Sequence, residues 1–307
     1  MSDLRLDEII EIGSSSGHGS LLGVQPFMLA SDYASAQDVL DKLDGYFAAA
    51  QAKGWLQAKT IVVLPEYLGA WLVAAGERPG IYAAENIQAA MRSLALSHLL
   101  LFGRAYLACR ESDRAAAALF HMKAGAMAQD YQFIFSRLAS RYGVTVVAGS
   151  ILLPQPSVVN GILLPGSGPL QNISAVFGPD GALAPHLSRK VYPVKAELPF
   201  VAGAHIEDLP AFDTPAGRLG VLVCADTWYP APYQRLRQLE IDLLAAPSLL
   251  SHGDWKQPWG GYNGAPAPPD VDSSDVGRLT EGEAWRKYAL AGRIGLSGAQ
   301  AGINVFL

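Results

Sequence analysis

Four short apolar runs restrict what this chain can fold into more than anything else in it. "TIVVLPE" (60–66), "VTVVAGS" (144–150), "GRLGVLVCAD" (217–226) and "DLLAAPS" (242–248) are apolar at consecutive positions rather than alternate ones. A strand of that kind is buried on both sides, so the runs predict strands of a sheet covered on its faces. The segments between them supply the cover. "SAQDVLDKLDGYFAAAQAKG" (35–54) has the apolar spacing of an amphipathic helix stopped by glycine, and "PYQRLRQLEI" (232–241) reads as a second. A long helical region spans about 83–142, with breaks expected near Gly103, Glu111–Asp113 and Gly125. "LLGVQPFML" (21–29) reads as a first strand, residues near 281–293 as a last helix and "AGINVFL" (301–307) as a last strand. "NGILLPG" (160–166) and "ISAVFGPDG" (173–181) read as a strand pair, which makes the sheets mixed rather than purely parallel. The fold class is α/β.

No polar linker divides the 307 residues, so a single domain over 1–307 is expected. The Gly/Pro-rich stretch 257–275 lies between core elements and reads as a long functional loop. Half of the residues are apolar and 17 % are charged, enough for a substantial core. A net charge of −5 and the absence of any Lys/Arg block argue against a nucleic-acid partner. Two cysteines make no disulfide framework, and no CxxC or Cys/His cluster suggests zinc. The start, "MSDLRLDEIIEIG", is too acidic for a signal peptide, which predicts a cytoplasmic protein. "SLALSHLLLFGRAYLAC" (93–109) is apolar for several turns, but His98 and Arg104 interrupt it short of the ~18 residues a spanning helix needs.

Three polar residues sit at the ends of apolar segments or in the loops after them. Cys224 follows "VLV", where it is either a small hydrophobe finishing a strand or a nucleophile held at its edge. Glu66 ends "IVVLPE", either emerging into solvent or placed over the sheet's edge. Lys190 lies among Arg189 and Lys195, and composition alone does not single it out. A thiol nucleophile needs a base for its proton and a cation or amide donors for the developing oxyanion. A carboxylate, an ammonium and a thiol at strand ends meet that need without histidine. The histidines offer no recurring pattern: His98 and His121 fall in predicted helices, and His186, His205 and His252 in loops. Cys109 ends a predicted helix with no partner motif.

Taken in order, "VLPE" (63–66), "RKVYPVKAE" (189–197) and "CADTWYP" (224–230) resemble the Glu, Lys and Cys signatures of the nitrilase (carbon–nitrogen hydrolase) superfamily. "LGVQ" near the start, "YGVTVVAGS", "VFGPDGALAPHLSRK" and "IDLLAAPS" extend the likeness over most of the chain. The resemblance implies a four-layer αββα sandwich in which Glu66, Lys190 and Cys224 converge. It implies that Cys224 attacks a carbonyl or nitrile carbon, that Glu66 takes the thiol proton and later activates water, and that Lys190 holds the oxyanion with the Ala225 backbone N–H. Glu197 matches a second glutamate of many members and is expected to orient Lys190 or the substrate. No cofactor and no metal are implied, since the lysine supplies the positive charge. "CADTWYP" keeps the outline of the amidase branches and lacks the Trp-Glu that follows the cysteine in typical nitrile-cleaving members. That favours an amidase working through a thioester, with nitrile hydrolysis and N-acyl transfer as the other readings. Ala225 stands where an aromatic residue is common, which predicts a roomier pocket beside the thiol.

Residues 73–127 exceed what such a fold requires. Their Leu-rich helices are expected to form a cap or an interface in a homodimer or larger homo-oligomer, with membrane-surface contact the other reading open to them. The resemblance also implies a further turn and tail after "INVFL".

Overall fold

Each buried run becomes a strand whose two faces look into different cores. The computed structural model describes residues 3–13, 17–250 and 253–307. In the first sheet β1 (Ser20–Gly23), β2 (Thr60–Val63) and β3 (Thr145–Val147) run parallel, and β8 (Val176–Phe177) adds antiparallel to β3. In the second, β10 (Ala211–Thr214) pairs antiparallel with β11 (Gly217–Val221), while β12 (Leu243–Ser248) and β13 (Ala301–Phe306) continue in parallel.

Ile61 and Val63 point inward with Val147 and Val176 and meet Phe212, Leu219, Val221, Ala245 and Val305 of the second sheet. Val62, one residue out of phase, joins Val146 and Phe177 on the opposite face. There they pack against Leu43 and Phe47 of α1 (Ala36–Ala52) and Tyr131, Ile134 and Leu138 of α5 (Arg114–Tyr142). Leu222, Leu244 and Ala246 likewise cover Tyr233 and Leu236 of α6 (Pro230–Gln238). The result is the expected order of helix, sheet, sheet, helix. A buried Val, Ile or Leu side chain contributes roughly 1.5–3 kcal/mol, so a one-residue slip of β2 loses little burial but mismatches both cores at once.

Local signals fix the helix ends. Ser35 accepts the Asp38 N–H at the start of α1, and Asp113 accepts the Ala116 N–H at the start of α5. Gly143, left-handed at φ 61°, ends α5. Before α5 lie α2 (Pro79–Tyr82), α3 (Ile87–Ser97) and α4 (Leu99–Ala108). The break between α3 and α4 falls at His98, not at Gly103, and Gly125 lies inside α5 without interrupting it. Gly125 is tolerated at a cost of ~1 kcal/mol because packing around Ala124, Met127 and Ala128 rather than propensity holds α5. The expected break at 111–113 is present. Among the described residues no helix is long and apolar enough to cross a membrane.

A smaller antiparallel sheet of β4 (Ile151–Pro154), β7 (Leu170–Ser174) and β9 (Ser188–Arg189) leans on the sandwich. It corrects the predicted strand pair. "ILL" of "NGILLPG" is β6 (Ile162–Leu164), and it pairs with β5 (Ser157–Val159), whereas Ile173 pairs with Ile151 and Arg189. The cause is the dipeptide Asn160–Gly161, left-handed at both residues (φ 51° and 77°), which closes a two-residue hairpin backwards in sequence. The last helix is also two, α7 (Glu281–Tyr288) and α8 (Leu290–Arg293).

Candidate active site

Where β2 runs out, Leu64 and Pro65 carry the chain across to the end of β12, and the Glu66 N–H donates to the Ser248 carbonyl (3.2 Å). The Tyr67 N–H donates to Ser150 Oγ (2.8 Å) and the Gly69 N–H to the Ser150 carbonyl (2.8 Å). This close meeting of two loops requires Gly149. Its φ is 67°, and a Cβ there would lie 2.2 Å from the Pro65 carbonyl oxygen. The Glu66 carboxylate is thereby held inside the molecule, 1 % exposed, instead of emerging into water.

Lys190 follows β9, its N–H donating to the Asn172 carbonyl on β7 (2.9 Å). Its ammonium lies 2.7 Å from Glu66 Oε1 and 2.7 Å from Glu197 Oε2. Asn172 Nδ2 donates to both carboxylates, at 2.9 Å to Glu66 Oε1 and 3.1 Å to Glu197 Oε1. The Tyr67 hydroxyl and the Val194 N–H complete the Glu197 shell at 2.5 and 2.8 Å. Glu197 is therefore a buried, fully engaged group. Lys190 is not interchangeable with its neighbours: Arg189 binds Gln171 and the Pro156 carbonyl, facing away.

Cys224 comes three residues after Val221, the last inward residue of β11, and opens a single 3₁₀ turn, Cys224–Trp228. Its own backbone is left-handed, φ 49°. The thiol donates to the Leu249 carbonyl oxygen at 3.9 Å, and its sulfur is close enough to the Glu66 carboxylate for the two to perturb each other. Asp226 ties this turn to its surroundings. Its buried carboxylate accepts the N–H groups of Val191 (2.9 Å) and Tyr192 (2.8 Å), tying the turn of the cysteine to the loop of the lysine. Ala225 is buried beside the thiol. The Gly/Pro-rich loop closes over this turn, with Trp259 and Tyr262 packed on Trp228 and Cys224 in one aromatic cluster.

The electrostatics follow from burial and crowding. Burial, then the nearby Glu197 charge, raises the Glu66 carboxyl above its usual range against the pull of Lys190. Burial also raises Glu197, but Lys190, Tyr67 and Val194 outweigh it and leave Glu197 below the usual range. Burial acts to discharge Lys190, and the carboxylates of Glu66 and Glu197 with the Cys224 sulfur more than reverse that, so the lysine is charged. Burial and the Glu66 charge push the Cys224 thiol well up, so at rest the sulfur carries its proton beside an acceptor. Burial lifts Asp226 to about 7. One cation thus sits between two carboxylates next to a protonated thiol.

The sequence reading omits Asn172, Tyr67 and Asp226. A buried Asn in the apolar strand 170–174 is the only local hint of the first. Cys109, read there as partnerless, meets Glu111 and His121, with the three possible ligand atoms within 4.8 Å of one another. These could hold a metal ion, and the pairing arises because α5 folds back on the turn before it. His98 is paired with Glu77 (2.8 Å) and His121 with Glu111 (3.3 Å), while His252 lies outside the described residues.

Two stacked mixed sheets between helix layers are the architecture of the nitrilase superfamily. A carbon-nitrogen hydrolase family model matches residues 29–267, so the chain belongs to the carbon-nitrogen hydrolase family. No curated relative matches it. The crystal structure of a carbon-nitrogen hydrolase from Helicobacter pylori G27 has a similar fold, at 17 % identity and a TM-score of 0.54, covering 93 % of this chain and 72 % of that one. An amidase from Nesterenkonia sp. aligns at 16 % identity with a TM-score of 0.44, over 77 % of this chain and 67 % of its own.

Proposed function

We propose that the protein is an amidase that cleaves linear carboxamides through a thioester on Cys224. The observation that carries this reading is the buried contact of Lys190 with Glu66 and Glu197 beside the protonated thiol. As sulfur attacks the amide carbon, the thiol proton passes to Glu66 and the carbonyl π pair moves onto oxygen. Lys190 and the Ala225 N–H hold that oxyanion. The tetrahedral adduct collapses, its C–N bond breaks, and Glu66 returns the proton so that ammonia leaves. Glu66 then deprotonates a water that attacks the thioester. The acid departs and the thiolate is reprotonated, restoring the starting state. Glu197, Tyr67 and Asn172 position Lys190 and Glu66 rather than react.

Ammonia release from short linear amides and their matching nitriles, with intact-mass analysis of acid-quenched enzyme, tests this. Ammonia from the amides and an acyl adduct confined to Cys224 are expected. Activity on nitriles alone, or turnover with no adduct and unaltered by alkylating Cys224, overturns it. In the same series Glu66→Gln should slow iodoacetamide alkylation of Cys224, since the base that takes its proton is gone. An unchanged rate removes that role from Glu66.

A further inference from the structure

The helices α3 and α4 form a hairpin whose inner and outer faces contradict each other. Inward, Leu94 packs with Ile81 and Leu119, and Phe102 and Ala105 pack toward Cys109, Ala117 and Ala118. Outward, Leu96, Leu99, Leu100, Leu101 and Leu107 are exposed by 73, 63, 85, 55 and 81 %. No residue of α4 is fully buried. Isolated surface leucines are ordinary, but five on one short hairpin form a patch of the kind that soluble chains cover. The patch is presented firmly: His98, at the elbow, is bound to Glu77, which also holds Lys123 on α5.

Charge identifies the occupant. From Asn86 to Arg110 there is no Asp or Glu, in a chain of net charge −5. The stretch carries Arg92, Arg104 and Arg110, all exposed. Leucines flanked by arginines, with no acid among them, are the composition of a helix lying in a membrane interface, its apolar side at the headgroup–acyl boundary and its cations on lipid phosphates. A second copy of this chain fits the same face poorly. A two-fold contact sets the arginines of one hairpin against those of the other, with no carboxylate on either to meet them.

We infer that the α3–α4 hairpin docks the protein on the surface of an anionic bilayer. It lies in the interface without crossing it, in keeping with the lengths of α3 and α4, and the inference stands independently of the amidase reading. Because the hairpin packs through Phe102 on the cluster that also receives Phe200, three residues beyond Glu197, docking brings the lipid surface to the flank of the candidate site.

Co-sedimentation of the full chain with phosphatidylcholine vesicles, with and without phosphatidylglycerol, tests it. Binding to the anionic vesicles is expected, weakening as salt rises because the arginine–phosphate attraction is screened. Leu100→Ser with Leu107→Ser should lower the partition coefficient at least ~10-fold, since two exposed leucines no longer enter the interface. Both positions are exposed, so an unchanged circular dichroism melting curve is expected of the double variant. Absence of binding to anionic vesicles overturns the inference, as does equal binding by the double variant. So does sedimentation velocity without lipid in which the wild type is an oligomer and the double variant a monomer, because the face then belongs to a second copy.

Discussion

Cys224→Ala should lower kcat for the proposed amide hydrolysis by on the order of 10⁵-fold or more, and the protein should stay folded. The magnitude follows from loss of the covalent route itself, the kind of deletion that removes nearly all of a nucleophilic enzyme's acceleration. The fold survives because alanine keeps the small apolar volume at the head of the Cys224–Trp228 turn. Asp226, which fixes that turn to Val191 and Tyr192, is untouched. Ammonia release measured beside thermal unfolding checks both halves. Residual turnover above a few per cent excludes Cys224 as the nucleophile.

Lys190→Met has the second large effect, and its stability signature is as telling as its kinetic one. Loss of an oxyanion-stabilising group costs ~10²–10³-fold in kcat. The substitution also leaves the Glu66 and Glu197 carboxylates, 1 and 5 % exposed at their side chains, facing each other with no cation between them. Removing one partner of a buried ion pair typically costs 3–5 kcal/mol, so about that loss is expected at neutral pH. The pair relieves itself by binding a proton, so its folded-state pKa rises above the unfolded carboxylate value. The folded variant then holds more protons than the unfolded chain, and stability falls as pH climbs through the interval between the two values. The variant should therefore lose much less melting temperature relative to wild type near pH 5 than near pH 8. A deficit independent of pH shows that the two glutamates are not the groups Lys190 neutralises.

How far the sequence carried the reading depended on the range of each interaction. The strands β2, β3, β11 and β12 are legible because continuous apolar runs have few alternatives, and α1 because its apolar spacing is helical; β10, Ala211–Thr214, has no such run and is not read at all. The smaller sheet was misread because Asn160–Gly161, a two-residue signal, decides which strand Ile162–Leu164 pairs with. Glu66, Lys190 and Cys224 were individually ambiguous, since each residue type more often has an ordinary role, and only their ordered motifs distinguished them. Asn172, Tyr67 and Asp226 escaped notice because what they do is set by partners far along the chain. Asn172 reaches Glu66 and Glu197, and Asp226 reaches back to Val191 and Tyr192. The exposure of the α4 leucines could not be read from their periodicity either, because α4 is apolar nearly all round.

The left-handed backbone of Cys224 sets durability against usefulness at a single codon. A side chain there holds a conformation that costs of order 1–3 kcal/mol for any residue but glycine. Glycine adopts it freely, though its looser unfolded chain returns part of that gain. A library of this chain selected only for surviving heat should therefore enrich Cys224→Gly over Cys224→Ala, and under the proposed mechanism every survivor of that kind is inert. Selection for heat tolerance on this scaffold has to be coupled to turnover, or it will discard the sulfur that the proposed mechanism requires.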